Sequence, residues 1–240
     1  MLLEICAANY ESALNAQQCG VKRIELCSEL AVGGVTPSYG LIKKVMKSLS
    51  LEVMVLIRPR SGDFNYAAVD FDIMKQDVQL CKELGCHGIV SGVLNADRTI
   101  DEARTKELIE LSKPLPFIFH RAFDHVPNQV VALETLMELG VSRILTSGGS
   151  ARAIDGLEQL KTLKKHAATK LTIMPGGGVN AHNINYFKDA GFSEVHASAA
   201  HLTSDNFANL IPMNSPKNLQ ENSQLVSATG SILELISQLL

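Results

Sequence analysis

The chain has 240 residues, with 22 Lys and Arg against 25 Asp and Glu, so its formal net charge is −3. This balance argues against nucleic-acid and membrane-surface proteins, because both classes need an excess of basic residues. Apolar residues make up 46% of the chain and charged residues 20%, as in an ordinary globular protein. Since no apolar run approaches the roughly 18–20 residues of a membrane span, we expect neither a membrane nor a nucleic-acid partner.

The N-terminus and the cysteines together indicate a cytoplasmic protein. The first six residues, MLLEIC, lack the basic segment of a signal peptide and place an acid at Glu4. The chain contains five cysteines and no CxxC pair. An odd number of cysteines without an export signal favours free thiols in a reducing compartment.

Short apolar segments of strand length recur along the chain. We predict strands at residues 2–6, 23–27, 52–57, 88–91, 116–120, 143–147, 171–174 and 194–198. Helical patterns occupy most of the intervals between them, for example at 71–78 and 127–133. Short strands that alternate with helices are typical of βαβ units and a parallel sheet.

A weak internal repeat supports eight such units. A glycine precedes the second, fourth, sixth and eighth predicted strands, at Gly20, Gly85, Gly140 and Gly191. Each lies where a helix should end, because the residue after a helix usually takes a left-handed backbone conformation. The pattern predicts an α/β chain folded as a single-domain (β/α)8 TIM barrel, with a core of residues 1–202. A doubly wound open sheet is the alternative.

Residues 203–240 form the predicted C-terminal tail of the same domain. Positions 203–230 are rich in Ser, Asn and Gln, and a loop of that length is uncommon inside a compact domain. We therefore expect a flexible or wrapping segment there. The apolar stretch at 231–236 predicts a last helix.

Side-chain alternation predicts which strand residues face the inside of the barrel. One face of each strand meets the helices and the other meets the interior. The polar residues that this rule turns inward are Glu4, Cys6, Glu25, Cys27, Arg58, His120, His196 and Ser198. They lie near the carboxyl ends of their strands, where such barrels place their active sites. Buried ionisable groups are costly unless paired or functional, so their convergence favours a functional cavity over a purely structural polar core.

The loops after the strands add a predicted anion-binding set. Glycine-rich backbone can approach an anion closely, and phosphate sites in these barrels often form after strands seven and eight. The predicted set is Arg58, Arg60, Gly148, Gly149, Gly176, Gly177, Gly178 and Ser198. A tight turn between strand and helix is the alternative for the three consecutive glycines.

These motifs resemble the CutC family. The matching segments are LEIC at 3–6, RIELC at 23–27, GGVTPS at 33–38, IRPRSGDF at 57–64, FHRAFD at 119–124, LTSGG at 145–149, MPGGG at 174–178 and HAS at 196–198. They occur in order over residues 1–202. The resemblance implies a cytoplasmic (β/α)8 barrel, often homo-oligomeric, with a role in copper homeostasis through binding of copper ions.

Two cysteines are the predicted copper ligands. Cu(I) prefers thiolate and thioether ligands. Cys6 and Cys27 end neighbouring predicted strands and both face inward, and neighbouring strands lie about 4.8 Å apart. The alternative for both is a small buried apolar residue, a common state of free cysteine. A divalent ion bound by Glu4, Glu25 and His196 is a further alternative.

An enzyme is the alternative function. Five residues are candidate catalytic groups, because general acid–base catalysis needs a carboxylate or an imidazole beside the reacting proton. They are Glu4, Glu25, His120, Asp124 and His196. The arginines and glycines of the predicted anion-binding set would then hold a small anionic or phosphorylated substrate. A barrel shared by many chemistries does not specify the reaction.

Overall fold

The structure, a computed structural model, describes residues 1–203 and 224–240. The strands are β1 Leu2–Ala7, β2 Arg23–Leu26, β3 Glu52–Leu56, β4 Gly88–Ser91, β5 Phe117–Phe119, β6 Arg143–Thr146, β7 Thr172–Pro175, β8 Glu194–Ala197, β9 Ala200–Thr203 and β10 Gln224–Ser227. The helices are α1 Tyr10–Gln18, α2 Tyr39–Ser48, α3 Ala68–Glu83, α4 Glu102–Ser112, α5 Gln129–Glu138, α6 Leu157–Ala167, α7 Ile184–Asp189 and α8 Thr229–Leu239. Short 3-10 helices lie at Leu30–Val32 and Arg121–His125.

Strands β1 to β8 form one parallel sheet that closes on itself. Each strand pairs with its neighbours in chain order from β1 to β7, and β1 also pairs with β8. A parallel bridge between Gly176 and His196 joins the end of β7 to β8. The predicted (β/α)8 barrel is confirmed, with each of the eight strands within one residue of its predicted bounds. The open-sheet alternative is wrong.

The four predicted helix-ending glycines take left-handed backbone conformations. The φ angles are +80° at Gly20, +77° at Gly85, +84° at Gly140 and +74° at Gly191. At the end of α1, the backbone N–H of Gly20 donates to the carbonyl of Gln17, and that of Val21 donates to Ala16. These bonds satisfy carbonyls that the helix end leaves without partners, and the chain turns directly into β2.

Apolar residues pack on both faces of the sheet. Outward-facing strand residues such as Ile5, Ile24 and Val55 are buried against the helices. The interior of the barrel, toward the carboxyl ends of its strands, holds a smaller cluster. Its members are Cys6, Cys27, Met54, Leu56, Val90 and Ile118. This cluster confirms that Cys6 and Cys27 face the interior, as alternation predicts.

The C-terminal segment packs on the outside of the barrel. Strands β9 and β10 form an antiparallel two-stranded sheet, and the side-chain amide of Asn15 donates to the carbonyl of Ser227 over 3.1 Å. Ser227 Oγ donates to the carbonyl of Cys6 over 3.0 Å, which ties β10 to β1. Helix α8 packs against α1 and α7 and extends beyond the predicted 231–236. Residues 204–223 of the predicted tail lie outside the described residues.

Among the helices that the structure describes, none combines the length and the apolar character that crossing a membrane requires.

Candidate functional site

A cavity of about 1010 Å³ opens at the carboxyl ends of the barrel strands. Its walls come from the loops after β2, β3, β4, β5 and β7 and from the end of β8. The residues of the sequence-predicted sets that line it are Cys6, Glu25, Arg58, His120, Gly177, Gly178, His196 and Ser198. Apolar side chains complete the walls, among them Leu30, Val32, Phe64 and Leu94. The structure therefore brings residues from widely separated strands to one cavity, as expected for this fold.

An ion-pair network fills the interior on the amino-terminal side of the cavity. Arg23 is only 1% exposed, and its Nε donates to Glu4 Oε2 over 2.6 Å. Its Nη2 donates to Glu194 Oε2, which also accepts from Arg143 Nε over 2.8 Å. Two arginines thus compensate two carboxylates inside the barrel, which is the condition for burying charge at tolerable cost.

The network connects to the cavity through His196. Its Nδ1 lies 2.8 Å from Glu4 Oε1. Burial alone would raise the pKa of Glu4, but the hydrogen bond with His196 and the charge of Arg23 lower it below its ordinary value. Burial alone would lower the pKa of His196, but the hydrogen bond with Glu4 and the charge of Glu25 raise it. Both shifts favour a charged Glu4–His196 pair, which fixes the orientation of the imidazole.

Glu25 lies beside this pair in a different environment. Its Oε2 is buried and has no hydrogen-bond partner among the residues described. Burial raises the pKa of Glu25 to about 7, although the charge of His196 opposes the shift. A carboxyl group with such a pKa gains and loses a proton near neutral pH, as general acid–base catalysis requires. Burial therefore gives Glu25 a pKa suited to the acid–base role that the sequence predicts for it.

Two of the predicted metal ligands are close together. Cys6 Sγ and Cys27 Sγ lie 3.6 Å apart in the buried interior. The hydrogen bond with Cys27, together with burial, raises the pKa of the Cys6 thiol well above its ordinary value. Cys6 also lies near one oxygen and one nitrogen that could bind a metal ion. One ligand atom each of Cys6, Glu25 and His196 lies within 4.8 Å of the other two. The candidate metal-binding groups are thus a sulfur pair with a carboxylate and an imidazole beside it.

Arg58 holds two of the cavity loops. Its Nη1 donates to the carbonyls of Val32 over 2.8 Å and Gly34 over 2.7 Å, and its Nη2 donates to the carbonyl of Gly62 over 2.9 Å. The guanidinium lies 5.1 Å from the centre of the Phe64 ring. Its Nε is buried and has no partner in the described ranges, 1–203 and 224–240.

His120 ends the fifth strand segment and caps the 3-10 helix Arg121–His125. Its Nδ1 accepts the backbone N–H of Ala122 over 3.2 Å. Its Nε2 is buried and meets no hydrogen-bond partner in the part of the chain that is described. Burial and the nearby charge of Arg58 lower the pKa of His120 to about 3, so the ring is neutral at physiological pH.

Asp124 supports a loop rather than lining the cavity. Its Oδ1 accepts from Thr146 Oγ1 over 2.5 Å and from the backbone N–H of Gly149 over 3.1 Å. Its Oδ2 accepts from Arg121 Nε over 2.7 Å and from Ser147 Oγ over 2.9 Å. The carboxylate therefore occupies donors of the loop after β6, the same loop that supplies the predicted anion-binding Gly148 and Gly149.

The remaining predicted anion-binding residues, three glycines and Arg60, lie partly in the cavity wall and partly outside it. Gly177 and Gly178 line the cavity, whereas Gly176 closes the barrel against His196. The backbone N–H of Gly148 donates to Thr146 Oγ1 over 2.9 Å. Arg60 is not among the described residues that line the cavity.

Surface carboxylates hold Arg60 in place. Its Nε donates to Asp70 over 2.9 Å, and its Nη2 donates to Asp63 over 3.0 Å. These two hydrogen bonds raise the pKa of Arg60 above its ordinary value. Both predicted cations after β3 are thus occupied, Arg58 largely by backbone carbonyls and Arg60 by carboxylates.

Three residues of the ion-pair network, Arg23, Arg143 and Glu194, were not predicted, although strand alternation carries a signal for them. Arg23 precedes the inward-facing Glu25 by two residues, and Glu194 precedes His196 by two residues, so strand alternation places both on the inner face. The predicted inward-facing residues were those near the carboxyl ends of the strands, where a functional site was expected. The interior nearer the amino-terminal ends also holds charged residues, and their ion pairs support the site from that side.

A closed eight-stranded parallel barrel with a cavity at the carboxyl ends of its strands defines a (β/α)8-barrel protein. Residues 1–201 match the model of the CutC family. The chain belongs to the CutC family.

Named relatives agree with that assignment. A human copper homeostasis protein cutC homolog is 44% identical over 199 residues, which cover 82% of this chain and 73% of that protein. A CutC family protein of Chromobacterium violaceum is 45% identical over 199 residues, covering 82% and 81%. The crystal structure of a CutC copper homeostasis protein from Streptococcus agalactiae has a TM-score of 0.78 at 36% identity, covering 82% of this chain and 97% of that chain. This chain is therefore a member of a copper homeostasis protein family.

Proposed function

We propose that this protein serves copper homeostasis by binding Cu(I) through the thiolates of Cys6 and Cys27. The observation that carries the proposal is the sulfur pair, 3.6 Å apart, with Cys6 at the cavity wall. Thiolates are the soft ligands that Cu(I) prefers. The copper homeostasis names of the relatives from human and Streptococcus agalactiae support the same function.

The donor set fits a metal ion. Two sulfurs that bind one ion at about 2.3 Å each, with a tetrahedral angle between them, lie about 3.8 Å apart. The sulfur separation here is close to that value. Of the two other groups beside Cys6, the imidazole of His196 suits copper better than the carboxylate of Glu25. The pairing of His196 with Glu4 resembles the carboxylate–histidine arrangement that orients metal-binding imidazoles.

A chelator competition for Cu(I) tests this proposal. The variants are Cys6→Ser, Cys27→Ser and the double variant, and the control is Cys81→Ser, a buried cysteine of α3 outside the cavity lining described here. We expect one Cu(I) bound per wild-type chain, retained in Cys81→Ser and lost in the double variant. Equal affinity in wild type and the double variant, with matching circular dichroism spectra, would contradict the proposal. We further propose a cytoplasmic location, where both thiols stay reduced.

An enzyme acting on a small organic anion is the second candidate function. The observation in its favour is a cavity of about 1010 Å³, far larger than an ion needs and within the range of organic-ligand sites. The ionisable side chains of Glu25, Arg58 and His120 come from different strands and all belong to residues that line this cavity. Their convergence favours a ligand with polar groups. Glu25, with its raised pKa, would exchange the proton.

Native mass spectrometry separates the two candidates. The protein would be purified gently and without chelator from copper-supplemented cells, as wild type and as the Cys6→Ser/Cys27→Ser variant. A copper mass that the double variant loses supports the metal function. An organic adduct that the double variant retains supports the enzyme. The intact mass also tests the homo-oligomer that the family resemblance implies.

A further inference from the structure

Three side chains of different chemistry meet at the cavity wall. Cys6, Glu25 and His196 each offer one ligand atom within 4.8 Å of the other two. All three residues are buried, and all three line the cavity. Ligand atoms that bind one zinc ion at about 2.0–2.3 Å with tetrahedral angles lie about 3.3–3.8 Å apart. The group is therefore close to the size that encloses a single metal ion.

The barrel fixes the backbone of these three residues. Strand β1 lies between β2 and β8, and Cys6 is directly opposite Glu25 in the pairing of β1 with β2. In the pairing of β1 with β8, His196 is opposite Glu4, one inward-facing position before Cys6. Ligands on neighbouring strands are held more precisely than ligands on loops, so the group is preorganised for an ion.

Glu4 orients the imidazole of His196. A carboxylate only accepts hydrogen bonds, so the Nδ1 of His196, 2.8 Å from Glu4 Oε1, carries a proton. Nε2 is then the ring nitrogen left for a metal ion, which displaces any proton there on binding. A carboxylate that accepts the other N–H of a metal-binding imidazole is a common support of zinc sites.

The charges of the group match a divalent cation. Oε2 of Glu25 is buried and has no hydrogen-bond partner among the residues described. The thiolate of Cys6 and the carboxylate of Glu25 together carry two negative charges, and the imidazole is a neutral ligand. Sulfur, nitrogen and carboxylate oxygen are the usual ligands of Zn²⁺, whereas Cu(I) prefers sulfur alone.

We propose that Cys6, Glu25 and His196 bind Zn²⁺, with Glu4 as the supporting carboxylate. Three protein ligands leave a fourth coordination position, and this position faces the cavity that the three residues line. Three protein ligands and one open position are the arrangement of catalytic zinc sites, whereas structural sites use four protein ligands. Glu4, which the sequence offers as a ligand of a divalent ion, acts here through His196.

The zinc site and the proposed copper site differ in their ligands. Cys27 does not belong to the group of three, and it is not among the described residues that line the cavity. Glu25 belongs to the zinc site and is not a ligand in the copper proposal. The two sites share Cys6, so one chain binds one of the two ions at a time. The zinc site does not rest on copper binding or on the enzyme.

Isothermal titration of Zn²⁺ into metal-free protein, with a competing chelator, tests the site. We expect one ion per wild-type chain and an affinity at least about tenfold weaker in Glu25→Gln and in His196→Gln. Cys27→Ser should bind Zn²⁺ within about threefold of wild type although it loses a copper ligand. The matched control is His182→Gln, which alters an exposed histidine before α7 and should leave the affinity unchanged.

Cobalt(II) in place of zinc identifies the sulfur ligand in the folded protein. The wild-type complex should show the sulfur-to-cobalt charge-transfer absorption of a thiolate ligand, and Cys6→Ser should lack it. The proposal is wrong if wild type binds no Zn²⁺, if that absorption is absent, or if folded Glu25→Gln or His196→Gln binds Zn²⁺ as wild type does. Equal losses of zinc in Cys27→Ser and Cys6→Ser would also contradict it, because the sulfur pair would then bind the ion.

Titrations of wild type with each ion separate this inference from the proposed function. Zinc bound as expected by a protein that binds no Cu(I) would overturn the copper function and support the zinc site. Cu(I) bound by a protein that binds no Zn²⁺ would overturn the zinc site alone.

Discussion

Replacing Arg23 by methionine tests how the charged interior of the barrel is held. Arg23 and Glu4 are each 1% exposed and joined over 2.6 Å, and Arg23 also donates to Glu194. Methionine fills a similar, adaptable volume, so the main effect is an uncompensated carboxylate at Glu4. Removing one partner of a buried pair costs about 3–5 kcal/mol, against a typical total stability of about 5–15 kcal/mol. We expect the free energy of unfolding at neutral pH to fall by that amount.

The pH dependence of this loss identifies its origin. Burial opposes the shift, but the hydrogen bond with His196 and the charge of Arg23 hold the pKa of Glu4 below its unfolded value of 4.5. Glu4 therefore contributes stability above pH 4.5, and this contribution is lost as pH falls through the folded pKa. In Arg23→Met the contribution of Arg23 is already gone. The difference between variant and wild type should be largest near neutral pH and smaller at about pH 4.

Urea unfolding followed by circular dichroism at the two pH values measures both effects. The matched control is Arg23→Met/Glu4→Gln, which removes the unpaired carboxylate and should recover part of the lost stability. A loss below about 1 kcal/mol at neutral pH, in the range of exposed pairs, would refute the reasoning. So would a loss that is the same at both pH values.

Four further predictions concern the cavity and its supports. The pKa of His120 is lowered from 6.5 to about 3, so its contribution to stability is lost as pH falls below 6.5. From pH 7 to pH 5, the free energy of unfolding of wild type should therefore fall by about 2 kcal/mol more than that of His120→Asn. Equal falls in the two proteins, measured by urea unfolding, would contradict this. Gly92→Ala places a Cβ 2.7 Å from His120 Nδ1, so it should lower the free energy of unfolding by about 1–3 kcal/mol, and wild-type stability in urea unfolding would count against it. Asp124→Asn weakens the bond to the Gly149 N–H, so that amide should exchange with deuterium at least about tenfold faster, and unchanged exchange would argue otherwise. Arg60→Ala should lower the free energy of unfolding by less than about 1 kcal/mol, since its ion pairs with Asp63 and Asp70 are partly exposed, and a larger loss in urea unfolding would contradict this.

The strands and the helix ends could be predicted because their signals are local. Period-two apolar segments and a glycine after each of four helices mark eight units, and the structure matches them within one residue at each strand end. Neither strand of the small sheet, β9 at 200–203 or β10 at 224–227, was predicted. For β10 the reason is composition. Its two apolar residues, Leu225 and Val226, are too few to indicate a strand, and it is held by contacts with α1 and the end of β1.

The candidate site was predictable in part for the same reason. Alternation turns Cys6, Glu25 and His196 inward at one end of a parallel barrel, and the structure brings them within 4.8 Å. The same rule could have found Arg23, one alternation step earlier. Most of the environment of Asp124 was not predictable, because apart from Arg121 its partners are Thr146, Ser147 and Gly149, in a loop more than twenty residues further along the chain.

By itself, the sequence determined the eight-unit barrel, the inward face of each strand and the family. Tertiary structure alone decided which polar groups share the cavity: Arg58 lies in its wall, whereas Arg60, two residues away, pairs with surface carboxylates. It also decided their protonation, as the carboxyls of Glu4 and Glu25 show with pKa shifts in opposite directions. The physical reason is that periodicity is a property of neighbouring residues, whereas desolvation and charge pairing depend on residues that only folding brings together.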